Sequence, residues 1–195
     1  LLKGIFPDNF SAYKSKQKTE FRRIIRKNRD KNHNFIDCDN SNFPMDEIIL
    51  LRRKMFQSGL RSKNFLTNSQ LSVIQELYNK KRLVLSVIKK ENVIQAISFI
   101  LKEGSNYLFW IDIYNDSKLI NLYNYVMAIS LLSSEKDVLI NFGRGVYQYK
   151  SKNFLPSVYQ LYSINIFFSK WDEIMFNTKS IFIRILRFIY KKITK

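Results

Sequence analysis

Arg82-Leu-Val-Leu-Ser-Val-Ile-Lys-Lys-Glu-Asn-Val-Ile-Gln-Ala-Ile-Ser-Phe-Ile-Leu-Lys-Glu-Gly-Ser-Asn-Tyr-Leu-Phe-Trp-Ile-Asp-Ile-Tyr114 is the stretch whose reading decides the fold. It divides into three runs, Arg82–Lys89, Asn92–Lys102 and Tyr107–Tyr114, rich in the branched and aromatic side chains that suit a pleated surface. The breaks between them, Lys-Lys-Glu-Asn and Glu-Gly-Ser-Asn, are short and polar. Such short connections make hairpins, whereas a parallel return needs a crossover of a dozen residues or more. The spacing predicts a three-stranded antiparallel meander.

On the C-terminal side, Asn115-Asp-Ser117 supplies N-cap residue types ahead of Lys118–Leu132. Leu119, Leu122, Tyr123, Val126, Ile129 and Leu131 recur there at helical spacing. A short apolar run, Asp137–Phe142, comes next. With a helix between, it should lie parallel to the third meander strand through a right-handed crossover. It leads into Gly143-Arg-Gly145, where two glycines let the backbone turn sharply. The turn presents Arg144 next to Tyr147, Tyr149 and Lys150. These groups supply donors for a phosphate or carboxylate, and phenols able to give or take a proton. The ordinary use of such glycines is a basic turn between core elements. Asp112 is a carboxylate inside an aromatic strand. Burying it unpaired is costly, so it either ends the strand at the surface or works as a base or acceptor ligand. Pro156–Phe168 alternates as a further strand, and Ile181–Lys195 reads as a helix with Arg184, Arg187, Lys191 and Lys195 along one seam. That helix is too short and too charged to span a bilayer. It suits the headgroup layer of a membrane, and equally a core or a partner helix.

On the N-terminal side, Ser69–Lys80 is a helix capped by Thr67 or Asn68, and a second helix runs from Phe43 to about Gln57, stopped by Gly59. Phe35–Cys38 reads as a short strand. Phe10–Asp30 is a helix with Phe10, Tyr13, Phe21, Ile24 and Ile25 near one stripe. Its other faces are basic: Lys14, Lys16, Lys18, Arg22, Arg23, Arg26, Lys27, Arg29 and Lys31 face only Glu20 and Asp30 in that span. Such a run is usually a solvated face, with a phosphate-facing or membrane-facing role as the sharper alternative.

The chain has 195 residues, 33 Lys and Arg against 16 Asp and Glu, and a net charge of +17. This length supports one core with appendages, and the charge points to anionic partners: nucleic acid, an anionic membrane face or a polyanionic cofactor. Cys38 is the single cysteine, so an intrachain disulfide and a cysteine zinc site are excluded. His33 is the single histidine and sits in Lys31-Asn-His-Asn34, which reads as an exposed polar loop. Ser-His-Asp and Cys-His catalysis are thereby removed unless His33 itself serves. No run of eighteen apolar residues is present. The chain opens Leu-Leu-Lys-Gly, without an initiator methionine, as a piece of a longer protein would.

Two helices, a meander, a helix, a parallel strand and a final helix and strand make an order that resembles the GNAT acyltransferase superfamily. Within it the sequence is most similar to the CelD/BcsL-like subgroup associated with polysaccharide biosynthesis. The resemblance covers roughly Phe10 to Trp171. Its most specific piece is an Asp-Phe-x-x-Gly tract leading to a Tyr-Lys pair, matched here by Asn141-Phe-Gly-Arg-Gly145 and Tyr149-Lys150. Lys18 and Arg22-Arg23 are similar to an Arg-rich segment ahead of the family's domain. The pyrophosphate loop of ordinary members would fall at Tyr114-Asn-Asp-Ser-Lys-Leu119, which has no glycine.

The resemblance implies an α+β fold, a GNAT-like mixed sheet flanked by helices and followed by a basic amphipathic C-terminal helix. The boundaries it suggests are a basic helix and loop over 1–34, the GNAT-like domain over 35–170 and the C-terminal helix over 171–195. It implies transfer of an acyl group from acyl-CoA, with no metal, to an amine of a sugar or cell-envelope precursor. Tyr149, Tyr147 and Asp112 are the catalytic candidates, with Ser117, Lys118, Arg144 and Lys150 holding the cofactor's phosphates. The alternatives are an aminoacyl-tRNA-dependent transferase and a non-catalytic basic module that binds membrane or nucleic acid. The implied location is cytoplasmic, at the inner face of the membrane through Ile181–Lys195.

Overall fold

The computed structural model describes residues 14–62, 64–115, 118–132, 138–143, 154, 169–171 and 174–179, with the side chain of Lys118 excepted. The chain forms two compact units, Leu1–Pro156 and Ser157–Lys195.

In the first unit, helix α1 (Ser15–Lys27) opens with the backbone N–H of Lys14 donating to Gln17 Oε1 at 2.9 Å. It closes with Asn28 Nδ2 donating to the Ile24 carbonyl at 2.9 Å. Those two bonds satisfy backbone or side-chain groups that the helix ends would leave open. Strand β1 (Asn32–Ile36) follows. It begins three residues before the strand expected at Phe35–Cys38, and it takes His33 out of the polar loop assigned to it. Helix α2 (Met45–Gln57) buries Ile48, Leu51 and Met55, one face at spacings of three and four. Helix α3 (Asn68–Asn79) is capped by Thr67. Gln70 N donates to its Oγ1 at 3.4 Å, and Thr67 N donates to Gln70 Oε1 at 2.8 Å. A reciprocal cap of this kind contributes about 1 kcal/mol.

The meander is present as β2 (Leu83–Lys90), β3 (Val93–Glu103) and β4 (Asn106–Tyr114). Helix α4 (Lys118–Leu132) then leads to β5 (Leu139–Asn141). The sheet order is β1-β2-β3-β4-β5, antiparallel throughout except for the parallel β4–β5 pair. This is the mixed, helix-flanked α+β architecture of the GNAT-like fold.

Alternation along the strands divides the interior into two layers. Leu83, Leu85, Val87, Ile97, Phe99 and Ile113 face α2 and α3. Ile88, Ala96, Ile100, Tyr107 and Phe109 face α1 and α4, where Phe21, Ile24, Tyr125 and Val126 meet them. Each such large apolar side chain, removed from water, contributes roughly 1.5–3 kcal/mol before the cost of ordering it. Residues 86 and 98 belong to the second layer yet are serines, fully buried. The register pairs Ser86 with Ser98 and Ser98 with Asp112, so a polar row crosses three neighbouring strands under α4.

In the second unit, residues 174–179 are helical and Thr178 Oγ1 donates to the Ile174 carbonyl at 2.8 Å. The strand expected at Pro156–Phe168 and the helix at Ile181–Lys195 lie outside the described residues. Among the described residues no helix is long and apolar enough to cross a membrane.

Candidate active site

Among the described residues the parallel pairing of β4 with β5 comprises Asn106–Leu139, Tyr107–Ile140 and Leu108–Asn141. Beyond Leu108 strand β4 continues to Tyr114, while β5 ends at Asn141. The change coincides with an irregularity on the other side of β4. Phe99 pairs with Ile111 and Ile100 with Phe109, which leaves Trp110 as an extra residue. A bulge bends its strand and re-aims the side chains that follow. Here the residue that follows on the α4 side is Asp112.

Asp112 is engaged through both oxygens. Ser98 Oγ donates to Oδ1 at 2.7 Å and Tyr125 OH donates to Oδ2 at 2.8 Å. Hydrogen bonds to a charged carboxylate are stronger than neutral ones, so this pairing offsets much of the cost of half-burial. Ser98 in turn accepts from Asn124 Nδ2 at 3.0 Å. The same Asn124 nitrogen donates to the Ser86 carbonyl at 2.9 Å, and Ser86 Oγ donates to Asn124 Oδ1 at 2.7 Å. His33 Nε2 lies 2.8 Å from Ser86 Oγ.

Proton counting fixes the direction of this chain. The one hydroxyl hydrogen of Ser86 is committed to Asn124, so His33 Nε2 must be the donor to Ser86. Nδ1 then carries the lone pair, and it is buried with no hydrogen-bond partner among the described residues. Burial lowers the imidazole pKa to about 4. The bonds therefore point one way, from His33 through Ser86, Asn124 and Ser98 to the carboxylate. His33 is a neutral, strand-borne, inward-facing histidine, correcting its reading as an exposed loop residue. Its ring also meets Phe35 edge-on, with centroids 5.3 Å apart.

Beside Asp112 the rings form a stack. Tyr125 lies on Phe109 with centroids 4.6 Å apart, Phe142 on Phe109 at 5.9 Å, and Phe154 on Phe142 at 5.2 Å and on Tyr125 at 5.9 Å. Offset stacks at these separations add about 0.5–1.5 kcal/mol per pair beyond the area they bury. Phe142 and Phe154 bracket Arg144–Lys150 in the sequence, and both rest on Tyr125.

Asp112 is the one candidate whose side chain is described, and it joins Tyr125 and Ser98. Tyr147, Tyr149, Arg144, Lys150 and Ser117 lie outside the described residues, and Lys118 opens α4 without a described side chain. Sequence reasoning missed Tyr125, Asn124, Ser86 and Ser98. The available signal was one polar residue at the centre of each strand, at positions that hairpin pairing sets side by side. Among the described residues no group of three or more His, Cys, Asp or Glu side chains is placed to hold a metal ion.

Neither a protein-family model nor a curated protein matches the chain. Solved structures do. One is the C-terminal domain (DUF2156) of a protein described as a lysylphosphatidylglycerol synthetase from Agrobacterium fabrum. It has 15% identity and a TM-score of 0.52 over 67% of this chain and 42% of that one, so the chain spans less than half its length. An aminoglycoside acetyltransferase from an uncultured soil metagenomic sample, in complex with trehalose, has 11% identity and a TM-score of 0.49 over 71% and 97% of the two chains. A predicted acetyltransferase with acetyl-CoA from Clostridium acetobutylicum has 9% identity and a TM-score of 0.42 over 69% and 96%. What these likenesses show is the fold, a GNAT-like mixed sheet flanked by helices.

Proposed function

We propose that the chain is a GNAT-type N-acyltransferase, with its reaction centre where β4 and β5 part. The observation that carries this reading is the end of the parallel pairing at Leu108 and Asn141, next to the Trp110 bulge. A strand that continues past the described end of its parallel neighbour can have backbone N–H groups to offer a carbonyl oxygen, and such donors stabilise charge developing on it. Phe109–Tyr114 on β4 and the first turn of α4 are the described parts suited to hold acyl-CoA, which would supply the acyl carbon as an activated thioester.

The chain's own work is then alignment and proton transfer. Asp112, held through both oxygens, suits a positioning residue that fixes Tyr125 and the floor of aromatic rings. Tyr149, with Tyr147 second, is the candidate to supply a proton from its phenol. Arg144 and Lys150, with Ser117 and Lys118, are the candidates for phosphate. What supports placing the four candidates between residues 144 and 150 here is that Phe142 and Phe154, which bracket them in the sequence, both rest on Tyr125. The acceptor is an amine, with an amino sugar or envelope precursor the class the sequence resemblance suggests. In this reading the Ile181–Lys195 helix rests on the inner membrane face, and loss of vesicle flotation on its deletion is the check.

A release assay for free thiol from acetyl-CoA, run over a panel of amino sugars, tests the proposal. Turnover should fall by about 10²-fold in Tyr149→Phe, the lower range for losing a general acid. A second reading, aminoacyl transfer from tRNA, is favoured by the glycine-free Tyr114–Leu119 turn and the +17 charge. Absence of acetyl-CoA binding by calorimetry, together with tRNA binding that falls steeply with salt, would select it.

A further inference from the structure

On the opposite face of the sheet from Asp112, the C-terminal half of α2 and the chain leading to α3 enclose a groove of about 200 Å³. Arg52, Arg53, Phe56, Ser62 and Phe65 line it. Its two lining arginines are held differently, and a third arginine lies beside it. Arg52 is half-buried, and its Nη1 donates to the Leu66 carbonyl, which fixes the guanidinium against the groove wall. Leu66 itself holds a left-handed backbone (φ 52°) with a buried side chain, so the carbonyl that anchors Arg52 is set by the packed turn. Arg53 is exposed at the rim. Arg61 lies over the Phe65 ring, 5.0 Å from its centroid.

Among the described residues no carboxylate is within ion-pair distance of Arg52, Arg53 or Arg61. An unpaired surface arginine is ordinary in so basic a chain. A guanidinium pinned by one N–H, with no second hydrogen-bond partner among the described residues, is a different thing. The planar fork matches phosphate or carboxylate oxygens, and pre-orientation lowers the entropy lost per bond. Two lining arginines, with Arg61 beside them on Phe65, suit a dianion better than a single carboxylate. The Phe65 ring adds apolar wall for whatever carries the charge, and Ser62 adds a hydroxyl. The volume falls below the roughly 300–1,000 Å³ of sites that enclose a whole drug-sized ligand, so the occupant is small.

We propose that this groove binds a small phosphomonoester whose organic part is aromatic or apolar, independently of the acyl-transfer site. The test is calorimetric titration of the full chain with phenyl phosphate, inorganic phosphate and benzoate. Saturable binding of phenyl phosphate is expected, tighter than that of either comparison ligand. Arg53→Gln and Arg61→Gln, both at exposed positions, should weaken it, the first by at least ~10-fold, the scale of one lost charge-assisted bond. Arg22→Gln on α1 removes the same charge elsewhere and should change nothing. The proposal is overturned if Arg22→Gln weakens binding as much as Arg53→Gln, since net charge alone would then be responsible. It is equally overturned if inorganic phosphate binds as tightly as phenyl phosphate, or if no saturation appears by about 10 mM, weaker than two such contacts would give.

Discussion

Asn124 and Ser86 exchange two hydrogen bonds across the α4–sheet interface: Ser86 Oγ donates to Asn124 Oδ1 at 2.7 Å, and Asn124 Nδ2 donates to the Ser86 carbonyl at 2.9 Å. Both residues are fully buried. The helix is thereby locked to one register over the strands, where apolar contacts alone would tolerate sliding. Asn124→Leu keeps the volume but strands the Ser86 hydroxyl and removes a donor from Ser98. The expected loss is about 3 kcal/mol in urea unfolding, because buried polar groups left without partners cost about 1–3 kcal/mol each. Adding Ser86→Ala should recover part of it. A double variant as unstable as the sum of the two singles would show that the two residues act independently.

His33 makes stability depend on pH. Its folded pKa is about 4 through burial, while an unfolded histidine titrates near 6.5. Between these values the unfolded chain binds a proton that the folded chain refuses, so stability rises with pH across the window and is lost as pH falls from about 6.5 to about 4. The full effect is on the order of 3 kcal/mol. Asp30, held down to about 2 by its hydrogen bonds with Lys31 and Lys90, titrates below that window. Urea unfolding at several pH values should give a slope in the native chain that His33→Gln flattens. An unchanged slope in the variant would place the pH dependence elsewhere.

The order of elements was legible because the deciding signals are local. Alternation and short polar breaks gave the meander, the Thr67 cap gave the start of α3, and a helix between β4 and β5 gave their parallel pairing. His33 was misread because Asn32, Lys31 and Asn34 on either side are polar, and edge strands are half solvated, so their composition resembles that of a loop. The row Ser86–Ser98–Asp112 was harder to see. Each member is a single polar residue in an apolar run, and the meaning of any one depends on hairpin register, which a one-residue bulge at Trp110 or at Ile88/Lys89 can shift. Tyr125 was invisible for another reason. It looks like any apolar position of α4, and only the approach of helix to sheet brings its hydroxyl to Asp112.

Asp112 and Tyr125 should therefore prove coupled. Asp112→Asn replaces one acceptor oxygen by a donor, which must face either the Tyr125 or the Ser98 hydroxyl. A loss of about 2 kcal/mol is expected, the scale of a hydrogen bond to a charged group. Tyr125→Phe removes the phenol donor while keeping the ring on Phe109. In a double-mutant cycle read by urea unfolding the pair should show a coupling of about 1 kcal/mol or more. Strict additivity would mean that the bond contributes no net stability and that Asp112 is retained for another reason.

Gly143 offers the sharpest test of how closely the chain after β5 approaches β4. Its φ is +70°, and a Cβ there would lie 2.9 Å from the Phe109 carbonyl oxygen, a backbone atom that cannot swing aside. Gly104, at φ +57°, has nothing within 4 Å of the same construction. Both alanine variants carry the left-handed penalty of about 1–2 kcal/mol, but Gly143→Ala must also push the two backbones apart beside the proposed reaction centre. Thermal unfolding should show Gly104→Ala with the left-handed cost alone and Gly143→Ala losing more. In the acyl-transfer assay Gly143→Ala should lower kcat while Gly104→Ala, at the far end of the β3–β4 hairpin, leaves it unchanged. Equal melting losses in the two variants would mean that the chain can retreat from Phe109 at no cost, and the close approach would then be no constraint on the site.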